Sequence, residues 1–225
     1  MSVERAATNE TDAEAFWPRR VEAGRRVLVI ACGALAREIL ILRDGPLGAF
    51  DVTCLPASLH NRPEQIAEAV RGKIRANRAR YDEILCLYGE CGTAGELDRA
   101  LAEERVTRID GPHCYAFYAG DDEFAEMMEA EPGTFFLTDF LARHFERLVI
   151  EGLGLDRFPQ LRDNYFGNYR RLVYLAQTDD PAITEKGEAA ARRLGLAFER
   201  RFTGLGGIER FLRRAQSEKA ASWAS

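Results

Sequence analysis

The sequence of 225 residues is short of several things, and each shortage excludes something. No apolar run approaches the roughly 20 residues that span a bilayer, so no membrane-crossing helix is expected. Positive charge is not in excess: 31 Lys and Arg stand against 36 Asp and Glu, for a net charge of -5. Binding a phosphate backbone needs a concentrated basic surface, so nucleic acid is not expected as a partner. The arginines are scattered among acids, the pattern of a solvated surface. GxGxxG, the phosphate-loop GK[ST] and the GxSxG elbow are all missing, which leaves dinucleotide, P-loop and serine-hydrolase readings without their motifs. No CxxC pair occurs, so the commonest metal spacing is also absent. Only three histidines are present, His60, His113 and His144. The opening stretch, MSVERAATNETDAEAFWPRR, is polar and mixed in charge, without the apolar core of a secretory signal. The expectation is a cytoplasmic protein.

What is present is ordinary for a globular protein: 46% hydrophobic and 30% charged residues, enough for one large domain or two small lobes. Short Val/Ile/Leu runs predict strands at 26–31, 51–55, 83–88, 106–109, 134–137, 172–177 and 197–202. Helical patterns predict helices at 34–43, 63–80, 94–104, 114–129, 139–150, 157–169, 182–194 and 207–215. Continuous apolar strands alternating with helices imply an α/β fold, with mostly parallel sheets and crossover helices. Pro132-Gly133 marks a boundary. The expected organisation is a flexible arm over 1–24, a first α/β lobe over 25–130, a second over 131–215 and a tail over 216–225. Two lobes around a cleft is the first architecture, and one continuous sheet the alternative.

Five cysteines occur: Cys32, Cys54, Cys86, Cys91 and Cys114. An odd number in a chain of this size, read as cytoplasmic, points to thiols that bind metal, react or pack, rather than to structural disulfides. Cys54 (VTCLP) and Cys86 (ILCLY) sit inside apolar strands and read as core. The other three follow strands. Cys32 ends VLVIACG, Cys91 lies in LYGECG, and Cys114 follows the fourth strand in RIDGPHCYAF. Sites in open parallel sheets form beyond the carboxyl ends of the strands, so these three thiols are expected at one edge. Three soft ligands suit zinc or an iron–sulfur cluster and argue against magnesium or calcium. Gly33, Gly92 and Gly111 are candidate positions for close backbone approach to such a centre. His60 follows the second strand, on the same edge, and is favoured over His113, whose neighbour Cys114 already points inward. Glu90 and His60 are the candidate acid/base groups. Glu90 could instead hydrogen-bond its own turn, and Glu38 is a weaker ligand candidate.

Other readings stay open. Cys91, at a helix amino end beside Glu90, could act as a reactive thiol without metal or as a thiol-redox group with Cys32 or Cys114. GTAGELD could hold an anion. The aromatic segment DRFPQLRDNYFGNYRRLVYL could line a ligand face or fill a core. A metal-free small-molecule binding module would use those features.

Five blocks in order, ACGALAREI, LPASLHNRPEQI, YDEILCLYGECGTAGEL, RIDGPHCYAFYAGDDEF and EPGTFFLTDFLARHF, resemble a bacterial and archaeal family known as domain of unknown function 1638. The resemblance covers about residues 26–215. Members carry cysteines matching Cys32, Cys91 and Cys114 and a Leu-His pair matching Leu59-His60. They are often encoded near corrinoid-dependent methyltransferase systems. The chain departs from the pattern at GPHC, in place of Asp-Cys, and at Asp139-Phe140, in place of Gly-Trp. The resemblance implies a metal-linked enzyme or accessory factor in corrinoid-linked methyl-group or one-carbon metabolism. Its partners would be a small-molecule substrate or metallocofactor, and a corrinoid methyltransferase system.

Overall fold

The computed structural model describes residues 15–18, 26–45, 47, 48 and 50–221, with side chains to 215. The predicted arm over 1–24 lies largely outside the described residues. The part inside them is ordered: Ala15–Trp17 form strand β1. Among the described residues, no helix is long and apolar enough to cross a membrane.

The chain divides into two compact units, residues 1–117 with 207–225, and residues 118–206. The division therefore falls at Tyr118 rather than at Pro132-Gly133. Residues 118–130 group with the second unit, and 207–215 return to the first.

The first unit is built on a five-stranded sheet in the order β1-β3-β2-β4-β5. Its further strands are β2 (Val27–Cys32), β3 (Asp51–Leu55), β4 (Glu83–Leu87) and β5 (Thr107–Arg108). β2 runs parallel to β3 and to β4, and β4 parallel to β5, while β1 lies antiparallel against β3. Central parallel strands are covered on both faces. Accordingly Leu28, Val29, Ile30 and Ala31 of β2 are wholly buried. The helices are α1 (Ala36–Asp44), α2 (Ile66–Asn77) and α3 (Glu96–Glu104), then α4 (Cys114–Ala119), which reaches the division. α2 buries Ile66, Val70 and Ile74, the i, i+4, i+8 stripe legible in its sequence. Cys54 and Cys86 are buried in β3 and β4, as core.

The second unit carries three parallel strands in sequential order, β6 (Thr134–Thr138), β7 (Arg171–Ala176) and β8 (Ala197–Phe202). Its helices are α5 (Asp121–Ala130), α6 (Asp139–Arg143), α7 (Arg162–Phe166) and α8 (Pro181–Leu194). α8 starts where Asp180 accepts from the Ala182 N–H and Pro181 fixes the first turn; it stops at Gly195, φ 69°. Its last turns pack Ala190, Ala191 and Leu194 into a core with Leu137, Phe145 and Tyr174. The final helix α9 (Gly206–Ala221) buries Ile208 and Leu212.

Asp139, at one of the two family departures, is fully buried at the end of β6. Its carboxylate accepts from the Tyr174 hydroxyl (2.7 Å) and from the N–H groups of Gln177 (3.0 Å) and Thr178 (3.1 Å). A buried carboxylate with its lone pairs occupied in this way fastens the ends of two strands together. The aromatic segment splits. Phe166 and Tyr174 are core, whereas Phe158 and Tyr165 are about half exposed, 50% and 47%.

Candidate functional site

The strand order β3-β2-β4-β5 makes the chain leave β2 first to one side and then to the other. The carboxyl ends of β2 and β4 therefore form the switch point at which open α/β sheets bind ligands. Cys32 is the last residue of β2. Cys91 lies in the turn between β4 and α3, His60 in the 3-10 turn after β3, and Cys114 at the first position of α4. Four connections thus deliver three thiols and an imidazole to one edge.

They meet in one pocket. Cys32, His60, Tyr88, Gly89, Cys91 and Cys114 line it, with Leu35, Leu87 and Phe117 as apolar wall. The space enclosed is about 10 Å³, room for one water-sized occupant. Cys32 Sγ stands 3.7 Å from His60 Nδ1 and accepts from the Ala34 N–H at 3.4 Å. His60 Nδ1 also lies 3.1 Å from the Ala57 carbonyl. A carbonyl can only accept, so Nδ1 carries the proton, and Nε2 is left to take a proton or a ligand. Burial pulls the His60 pKa down, but a hydrogen bond and charge interaction with Cys91, together with the Ala57 carbonyl, outweigh it and raise the pKa. Burial pushes the Cys32 thiol up to about 11 and raises Cys114 further, with Cys91 and Cys32 adding to the rise at Cys114.

Cys91 is partly exposed and has φ 50°, within a turn where Gly92, Ala94 and Gly95 also have positive φ. That conformation costs a residue with a Cβ about 1–2 kcal/mol, and strain of this kind collects at functional sites. The turn is held by Glu90, whose carboxylate accepts from Gly92 N–H (2.8 Å), Thr93 Oγ1–H (2.8 Å) and Gly95 N–H (3.0 Å). Those bonds hold its pKa below the usual range. Glu90 is thus occupied as the brace of the Cys91 turn and does not line the pocket.

Gly33, Gly92 and Gly111 do not line it either. Gly33 opens a 3-10 turn, and Gly92 (φ 79°) and Gly111 (φ 120°) supply left-handed turn geometry. The glycine in the wall is Gly89. A Cβ there would lie 2.7 Å from the His113 Cα and 2.9 Å from its nitrogen, so its absence lets the loop before Cys114 close on the end of β4. Gly89 and Tyr88 are the site residues that the sequence reading missed. His113 is half-buried, edge-on to Tyr115, and is not in the wall; His144 lies in the second unit beside Phe140. Among the described residues, no group of three or more His, Cys, Asp or Glu side chains is already arranged to hold a metal ion.

Fold and site together define an α/β protein with a thiol–imidazole pocket at the switch point of a parallel sheet. The chain belongs to the family of proteins of unknown function DUF1638, whose model matches residues 54–212. That match includes His60, Cys91 and Cys114, and Cys32 lies before it. No curated protein matches the chain. A solved structure described as the basis for recognition and ring cleavage of the Pseudomonas quinolone signal by AqDC is similar at 14% identity, over 93% of this chain and 94% of that one. Its TM-score of 0.31 is too low to carry an argument.

Proposed function

We propose that the chain is a cytoplasmic protein that binds a single soft metal ion through Cys32, Cys91 and Cys114. We further propose that it serves corrinoid-linked methyl-group or one-carbon metabolism, as an enzyme or an accessory factor. One observation carries the metal reading: three thiols from three different strand ends, with His60, line one pocket at the switch point. Thiolates select soft ions. A space of about 10 Å³ supports zinc over an iron–sulfur cluster, which would need the loops to part. The methyl-group setting rests on the family resemblance.

Cys32, Cys91 and Cys114 would hold the ion, which would supply Lewis-acid activation of a thiol or water. The chain's own part is to hold and to move protons. His60 Nε2, left free by the Nδ1 contact with the Ala57 carbonyl, is the group that would take or return a proton in the pocket. The thiols Cys32 and Cys114 hold their protons more tightly than ordinary cysteines, so metal uptake must release them.

The test is elemental analysis of protein purified without oxygen, wild type beside Cys91→Ser. Stoichiometric zinc in the wild type and its loss in the variant is the expected result; a metal-free wild type defeats the reading. A second reading, favoured by the strained backbone of Cys91 and its contact with His60, is metal-free thiol chemistry at Cys91. In that case alkylation by iodoacetamide would concentrate on Cys91 and slow at least tenfold in His60→Ala.

A further inference from the structure

Three thiols in one wall allow three pairings, and the structure favours one of them. The turn that carries Cys91 is stitched to the loop that leads into Cys114. The Glu90 and Cys91 N–H groups donate to the carbonyls of Gly111 and Pro112. Backbones joined by such bonds run about 5 Å apart, and a disulfide bridges Cα atoms about 4.4–6.8 Å apart. Both cysteines line the same small pocket. After burial, Cys91 is the largest influence raising the Cys114 pKa, ahead of Cys32. Exposure separates the three in the same way. Cys91 and Cys114 are partly exposed, whereas Cys32 is buried, with its sulfur accepting from the Ala34 N–H.

Resting on the thiol reading of Cys91, and needing no metal, we propose that Cys91 and Cys114 form a dithiol–disulfide couple that exchanges electrons with small-molecule disulfides and thiols. Cys91 makes the first attack, from a turn open to solvent. Its proton passes to His60, with which it shares a hydrogen bond, and its sulfur attacks one sulfur of the small disulfide. That S–S bond breaks, and the departing thiolate takes the proton from His60. A mixed disulfide stays on Cys91. Cys114 Sγ then attacks the Cys91 sulfur, and the proton of Cys114 leaves with the second small thiol. The chain loses two electrons and two protons, and the small disulfide becomes two thiols. With excess small thiol the same steps run backwards and reopen the pair. The closed bond ties the turn after β4 to the start of α4, two segments that the backbone bonds already hold together. Cys32 takes no part in either step.

The test uses the full chain, reduced and stripped of metal by a chelator. Oxidised glutathione is the probe, and mass spectrometry of the intact chain and its peptides is the readout. The wild type is expected to release two molecules of glutathione per chain, to lose two hydrogens, and to yield a cross-linked pair of peptides holding Cys91 and Cys114. Cys32→Ser is expected to do the same. Cys114→Ser is expected to stop at the mixed disulfide, with glutathione retained on Cys91. Any other cross-link in the wild type overturns the pairing, however the variants fold. A wild type that keeps glutathione on Cys91, or ignores it while iodoacetamide still alkylates Cys91, overturns the couple and leaves the thiol reading standing. A Cys91 that reacts with neither reagent overturns both.

Discussion

Cys86 shows how a thiol with no part in the site still records its surroundings. It is wholly buried in β4, and that burial pushes its pKa up to about 12 from an ordinary 9.0. Between those values the folded chain keeps a proton that the unfolded chain has released. This contribution to stability is therefore complete below pH 9 and is lost as pH rises towards 12. At about 1.4 kcal/mol per unit, the loss reaches about 2 kcal/mol by roughly pH 10.5. Urea unfolding from pH 8 to 10.5 should show it, and Cys86→Ala, though less stable at pH 8, should show a shallower decline. At this scale much of the site was legible. Cys32, Cys91, Cys114 and His60 each follow an apolar strand, and the strand-end rule brings them to one edge. Tyr88 was not legible, because a tyrosine closing an apolar run reads as one more core residue. The usable signal was its place, directly before a glycine at the ligand edge. Glu90 carried two readings from its sequence, an acid/base group and a brace of its own turn, and its oxygens take the second.

The turn from Tyr88 to Gly95 and the loop before α4 act as paired elements. Cys91 N–H donates to the Pro112 carbonyl at 2.8 Å, and Glu90 N–H to the Gly111 carbonyl at 3.2 Å. Gly89 permits this approach by lacking a Cβ. In Gly89→Ala the added carbon meets backbone, which cannot rotate away, so the two loops must part. Overpacking of this kind costs about 1–3 kcal/mol. Metal uptake should fall far more than that of a variant equally destabilised elsewhere, such as one in the core of the second unit; a metal-binding titration on both distinguishes the cases. Strands were legible at this scale because buried parallel strands are continuous apolar runs. β1 was missed: three residues, Ala15 to Trp17, on an antiparallel edge carry too little pattern. The helix expected over 114–129 is two helices, because Gly120 at φ 90° ends one before the next begins. The helix expected over 139–150 breaks after Arg143 and continues as a wider π turn over Glu146–Glu151. Neither break has a proline to announce it.

The whole molecule is one chain in which the second unit interrupts the first. Sequence order suggested two lobes laid end to end, since no local signal in α9 tells which core Ile208 and Leu212 enter. Gly207 shows how closely α9 is set: a Cβ there would stand 2.8 Å from the Phe117 carbonyl oxygen, in the first unit and next to the thiol pocket. Removing residues 207–225 should therefore damage the unit that holds the thiols and spare β6–β8. Hydrogen exchange read by mass spectrometry should show protection lost in β2, β3 and β4 and kept in β7; equal loss in both units would contradict the division.

The interruption also has a consequence for the order of synthesis. Cys114, the last of the pocket's thiols, leaves the ribosome 93 residues before Gly207 (207 − 114), where the chain re-enters its unit. At about 5–20 residues per second, the nascent chain carries three open sulfurs for roughly 5 to 20 seconds before their unit can close. During that interval any available oxidant or competing ion reaches them first. The same gap gives a delivery factor its window, because an ion loaded then would be sealed in once α9 docks.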